Sequence, residues 1–257
     1  MRKNSSQFII FSLVLSMLLL STTLFARISF PKKQVTSTVT LDNFVFFDGN
    51  QIGCWVSNDG QVVSYEKAVS TGLFWPKESG LGVVFQSGPF IIGKVNGEFR
   101  SASVEYTSEY YPGKVFYNPA PGPKTAGTPD NSTLPKYRLY KINRGDSSDP
   151  ASPRFNPDYT EWPVDDGAPA HDGEYFTDLN NNQVWDKGEP FEDYDLDNQY
   201  DSPDGLLVQG QDPPLISGDQ TLWYVMNDFD KDKHKHLFST QPLGIEVQVS
   251  QFGSKTL

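Results

Sequence analysis

Between residues 178 and 204, oxygen-bearing side chains recur on alternate positions, the pattern by which a short curled loop surrounds a hard cation. With Asp178 as position 1 of a twelve-residue calcium loop, Asp178, Asn180 and Asn182 fill positions 1, 3 and 5. Val184 supplies a backbone carbonyl at 7, Asp186 stands at 9 and Glu189 closes the shell at 12. Gln183 takes the place where glycine normally makes the sharp turn, so the loop is expected to be strained and to bind more weakly. The pattern restarts fifteen residues later as Asp193, Asp195, Asp197, Gln199 at position 7, Asp201 at 9 and Asp204 at 12. Five carboxylates in this second loop repel one another without a cation, and Asp204 is shorter than the usual closing Glu. Calcium is therefore the expected cofactor of both loops. Pro190 biases Glu189 away from helical geometry, which excludes a helix-loop-helix pair and favours bare calcium loops.

Other stretches offer weaker chemistry. In "NDFDKDKHKH", Asp228, Asp230 and Asp232 have calcium-loop spacing, but lysines interleave and position 9 would be His236. A solvated turn is the expectation there, and it extends to His234 and His236, which lie two apart as zinc ligands on a strand might. "RGDSSDP" echoes an integrin motif and a serine-protease motif. Ser148 and Asp149 stand where that protease needs glycines for its oxyanion hole, so both echoes read as accidental. Paired carboxylates could serve glycoside hydrolysis, yet calcium explains their regular spacing better. The tryptophans 55, 75, 162, 185 and 223 are expected mostly in the core, with Trp185 plugging the first loop onto a sheet.

The elements that must position these loops read as strands. Runs such as "NFVFFDG", "GCWVS", "GQVVSYE" and "GVVFQSG" are β-branched or aromatic and bounded by turn formers. Asn96-Gly97 specifies a type I′ turn pairing 90–95 with 98–107. "KYRLYKI", "TLWYVMN" and "LGIEVQVSQF" are further strands, the last alternating Ile245, Val247 and Val249 with polar residues. The predicted fold is mainly β: antiparallel, sandwich-like sheets with a long acidic loop insert. Its parts are a β-rich region over 41–142, an acidic insert without helical period over 143–220, and strands over 221–257 that complete the sheet. A proline-rich stretch, 118–135, is a surface loop or linker.

Composition narrows the partners. With 21 basic against 32 acidic residues the net charge is −11, which excludes nucleic acid and anionic membrane as natural partners and favours divalent cations. Residues 1–26 read as an export signal, with Arg2 and Lys3 before an apolar core over 8–20 and cleavage after Ala26, the alternative being an uncleaved membrane anchor because Leu24 is not a small residue; a polar linker follows over 27–40. The single cysteine, Cys54, cannot form an internal disulfide, so bound metal is the expected stabiliser outside the cell.

The stretches "GLFWPKESGLGVVFQSGPFIIGKVNGEFRSASVEYTSEYYPGK", "YKINRGD", "DYTEWPVDDGAP", "DLNNNQVWDKGEPF" and "GDQTLWYVMND" with "PLGIEVQVSQF" resemble the N-terminal region of large exported bacterial proteins, many ending in a type IX secretion sorting domain. The resemblance implies export and no particular catalysis. No sorting domain precedes Leu257, so the chain is expected to be a fragment, a truncated member or a partner of a longer protein. The expected function is a secreted or cell-surface, calcium-binding structural or adhesive module rather than an enzyme, meeting a cell-surface protein or a glycan. The alternative is a carbohydrate-binding module or part of an extracellular hydrolase.

Overall fold

The computed structural model describes residues 44–63, 71–105, 107–117, 127–235 and 237–255. The signal and linker expected over 1–40 lie outside them, as does the stretch 118–126 of the proline-rich segment. Among the described residues no helix is long and apolar enough to cross a membrane.

The fold is mainly β and every sheet is antiparallel, as predicted. One sheet is built around Gly53–Ser57, which pairs with Phe44–Phe47, Val62–Val63 and Leu73–Phe74. A second is built around Gln220–Asn227, which pairs along its whole length with Glu246–Gly253. Its other edge carries Tyr140–Asn143 and Tyr111–Pro112.

Alternation along Gln220–Asn227 explains why all eight of its residues are buried. Leu222, Tyr224 and Met226 point to a core shared with Phe47, Cys54 and Val56 of the first sheet. Trp223 and Val225 point to the opposite face, where they meet Tyr140, Ile142, Tyr159, Trp162 and Val164. A strand covered on both faces loses the polar alternation of a half-buried one, hence the continuous apolar run "LWYVM". Burial of Leu222, Val225 and Met226 contributes about 1.5–3 kcal/mol each.

The second core attaches the acidic insert to the sheet. Tyr159, Trp162, Val164 and Ala168 belong to that insert and cover the outer face of the second sheet. Ion pairing reinforces the attachment: the Arg138 guanidinium lies 2.6 Å from Asp158, whose other oxygen accepts the Lys141 N–H at 2.7 Å. Regular elements are nearly absent there, with one 3-10 turn at Val164–Asp166 and isolated bridges between Ser147 and Phe155, Ala170 and Pro214, and Phe176 and Phe191.

The hairpin pairs Phe90–Val95 with Glu98–Glu105 about a turn in which Asn96 and Gly97 have φ of 52° and 86°. Nothing lies within 4 Å of a Cβ added at Gly97, so a substitution there tests backbone conformation alone. Gly97→Val will lower stability by about 1 kcal/mol or more in a denaturant titration, because a β-branched residue resists positive φ. An unchanged midpoint would count against this turn as a source of stability.

Candidate metal centre

The two loops share their left-handed backbone positions. Positive φ falls at Asn181 and Gln183 in the first (59° and 65°) and at Leu196 and Asn198 in the second (61° and 64°), the fourth and sixth positions of each. The strain expected at Gln183 is thus present. For a branched side chain such as Leu196, that conformation costs on the order of 1 kcal/mol.

Four equivalent hydrogen bonds offset the cost in each loop. In the first, Asp178 accepts the N–H groups of Asn182 and Gln183 at 3.2 and 2.8 Å, Asn180 Oδ1 accepts Asn182 N–H, and Asn182 Oδ1 accepts Val184 N–H. In the second, Asp193 accepts those of Asp197 and Asn198 at 3.2 and 3.0 Å. Asp195 accepts that of Asp197, and Asp197 that of Gln199. Alternate side chains are thereby turned to one side, as shell formation requires. In the first loop the amides of Asn180 and Asn182 both reach Asp186 Oδ2, at 2.6 and 2.8 Å, so positions 3, 5 and 9 meet at one point.

Closure of the loops is reciprocal, which the linear spacing did not reveal. Glu189, at position 12 of the first loop, bridges two N–H groups of that loop: Leu179 at 2.8 Å and Asp186 at 2.9 Å. In the second loop the equivalent groups, Tyr194 and Asp201, are bridged at 2.8 and 3.3 Å by Glu174, a residue that precedes both loops. Asp204, expected at position 12, is exposed, and its N–H goes to Asp172.

The backbone repeats the exchange. Glu189 N–H donates to Asp186 C=O and Glu174 N–H to Asp201 C=O; Thr177 N–H donates to Pro190 C=O and Glu192 N–H to Tyr175 C=O. These pairs are related by an approximate two-fold axis at the Phe176–Phe191 bridge. The missed signal is short but readable: Gly173-Glu174-Tyr175-Phe176 recurs fifteen residues later as Gly188-Glu189-Pro190-Phe191.

Aromatic rings fill the space between the loops. Trp185 stacks on Tyr200 at 4.9 Å, each at position 8 of its loop, and Phe191 meets both edge-on. Trp185 therefore plugs one loop onto the other rather than onto a sheet. Its aromatic surface is matched by a ring at the equivalent site, a pairing visible only once the loops are superposed.

Carboxylates crowd most closely at the second loop. Oxygens of Glu174, Asp193 and Asp195 lie within 4.8 Å of one another, the one such grouping among the described residues that could hold a metal ion. Burial pushes Glu174 up to about 7, helped by the charges of Asp201 and Asp193. Burial likewise pushes Asp201 up to about 6, with Asp195 and Asp197 adding repulsion. Asp195, Asp197, Asp201 and Asp204 also line a cavity of about 460 Å³. The first loop is more open: Asn180, Asn182, Val184 and Asp186 are all exposed, and hydrogen bonding, Gln183 N–H first, keeps Asp178 below the usual carboxylate range.

Of the other candidates, "RGDSSDP" has a local role. Ser148 Oγ donates to Asp195 Oδ2 and Ser147 Oγ to Leu196 C=O, bracing the second loop, while Asp146 accepts from Asn143 and Asn156. Trp162 and Trp223 are in the core and Trp55 and Trp185 are half-buried, leaving Trp75 as the one exposed indole and no row for sugar stacking. His234, expected in a solvated turn, is fully buried. Comparison with protein-family models, with curated proteins and with solved structures finds no match to this chain.

Proposed function

We propose that the acidic insert binds two calcium ions and that the protein is an exported, β-rich structural or adhesive module of the cell surface or extracellular space. The observation carrying the calcium reading is the equivalence of the two loops in φ, in hydrogen bonds and in their bridging glutamates. Oxygen is the only donor the loops offer, in carboxylates, amides and the carbonyls of Val184 and Gln199. A flexible, many-oxygen shell suits Ca²⁺ better than Zn²⁺, which takes N and S ligands, or Mg²⁺, which keeps its waters. Asp178, Asn180, Asn182, Val184, Asp186 and Glu189 would hold one ion. Asp193, Asp195, Asp197, Gln199, Asp201 and Glu174 would hold the other. Isothermal calorimetry on the purified chain tests this directly: two ions bound at millimolar calcium are expected, and none would overturn it.

Adhesion is supported by the hairpin. Its register places Phe90 and Ile92 on one face with Phe99, and all three are exposed. Exposed apolar groups gathered on one face suit contact with a partner protein. Export rests on the leader-like residues 1–26 and on the resemblance to exported bacterial proteins. Fractionation of the producing cell tests it: mature chain starting near Arg27 outside the cytoplasm is expected, and full-length chain confined to the cytoplasm would overturn it.

A pH dependence follows from the raised carboxylates. Metal-free, Glu174 keeps its proton to about pH 7 and Asp201 to about pH 6. The folded insert therefore holds more protons than the unfolded chain above the ordinary carboxylate range, so its metal-free stability falls as pH rises towards 7. Calcium needs both groups ionised, so binding expels protons. Calcium affinity will rise between about pH 5 and 7.5. At pH 6, the calorimetric heat will depend on the ionisation enthalpy of the buffer, and at pH 8 it will not. Equal heats in two buffers at pH 6 would remove these two carboxylates from the shell.

A further inference from the structure

The segment after Gln220–Asn227 carries a second buried charge cluster, away from the calcium loops. Asp228 is fully buried and accepts three successive backbone N–H groups: Leu243 at 2.6 Å, Gly244 at 2.9 Å and Ile245 at 2.7 Å. These bonds hold the carboxylate where the chain enters Glu246–Gly253. Glu109, also fully buried, accepts the N–H and hydroxyl of Ser103 at 3.0 and 3.1 Å.

The 3-10 turn Lys233–Lys235 drives His234 into this cluster. Its Nε2 lies 3.0 Å from the Asp228 carbonyl oxygen and 3.5 Å from the Asp228 carboxylate. A carbonyl only accepts, so Nε2 bears the hydrogen. Nδ1 is buried with no hydrogen-bond partner.

The neighbouring charges are engaged elsewhere. Lys233 donates to Tyr110 C=O at 2.7 Å, lies over the Tyr111 ring and approaches Asp59 at 3.8 Å. Arg100 donates to Pro242 C=O and faces Glu98. Asp230 accepts the N–H groups of Asp232 and Lys233. The Tyr110 hydroxyl donates to Ala102 C=O, and Tyr117 lies within the field of Asp228. Among the described residues the only ion-pair partner of Asp228 is His234, and Glu109 has none.

We propose that His234, as an imidazolium, is the counter-ion of the buried Asp228 carboxylate, and that loss of its proton loosens the tie between the Lys233–Lys235 turn and the start of Glu246–Gly253. A neutral ring leaves the buried Asp228 carboxylate with its three backbone N–H bonds alone, whereas a protonated ring 3.5 Å away adds an opposite charge. Burial opposes the charged ring, but the hydrogen bond and charge of Asp228 and the charge of Glu109 outweigh it, so His234 is held above the ordinary histidine value. For a histidine raised on folding, the added stability is complete below its ordinary value and lost as pH rises through its folded value.

The test is NMR on the full chain from pH 5.5 to 9, following the His234 ring and deuterium exchange at Leu243, Gly244 and Ile245. His234 should titrate above an ordinary histidine. Exchange protection at the three amides, corrected for base catalysis, should fall as the ring deprotonates, by about tenfold for every pH unit that separates its midpoint from that of an ordinary histidine. Glu109→Gln should lower the His234 midpoint, and His234→Gln should flatten the pH response of the amides. Should His234→Gln not fold, the wild-type and Glu109→Gln titrations decide alone. Titration of His234 at or below the ordinary value, or protection constant across the range, would overturn the proposal.

Discussion

Glu174→Gln will weaken calcium binding at the second loop by about tenfold or more, whereas Asp204→Asn will change it by less than about twofold. The expectation rests on which carboxylate spans the loop. Glu174 accepts the N–H groups of Tyr194 and Asp201, as Glu189 accepts those of Leu179 and Asp186. An amide in its place offers one acceptor oxygen and a donor group that cannot accept the second N–H. The variant thus loses a charge from the shell and one of the two ties that shape it. Asp204 caps the N–H of Leu206 at the exposed rim of the cavity, a role asparagine retains. Calorimetry at pH 7.5, with Glu189→Gln as the matched change in the first loop, reads both effects. The opposite ranking, with Asp204→Asn the costlier change, would mean that the second loop closes as its linear spacing suggested.

Local geometry is legible in a sequence and the exchange between repeats is not. Asn96-Gly97 was legible because a two-residue turn is decided by its own φ angles, and the alternate acids of each loop were legible because curling is local. Glu174 was not, since its partnership with Tyr194 and Asp201 is set by the pairing of two repeats about Phe176 and Phe191. Trp162 and Tyr159 sit in a stretch with no helical or strand period, so nothing local announces that they cover the second sheet. His234 was misread through its neighbours. Lys233 turns its stem along the protein to place its ammonium at Tyr110 and over Tyr111, which leaves the adjacent imidazole to point inward.

Millimolar calcium will raise the melting temperature and protect residues 190–203 from proteolysis, chelation will reverse both, and the two sites will not behave independently. Extracellular calcium modules bind at about 10⁻⁴ to 10⁻³ M, so two sites in that range should be filled together in wild type. The first loop ends in its own spanning glutamate, Glu189, which leads directly into the second, and the second takes Glu174 from the segment that leads into the first; the rings of Trp185, Phe191 and Tyr200 lie between them. An ion that orders one loop therefore orders a ligand-bearing segment of its partner, and the second ion meets a shell already partly organised. Against this stands the repulsion of two divalent ions, which the carboxylates of each shell offset. Asp178→Ala should accordingly remove one site and weaken the remaining one by at least about fivefold, with Asp193→Ala doing the same in reverse. If each variant instead keeps one site at wild-type affinity, the loops are independent and the spanning glutamates act only as local ties. If the wild type binds no calcium and chelator leaves 190–203 equally resistant, the aromatic cluster and the second core hold the insert unaided, and the calcium reading fails.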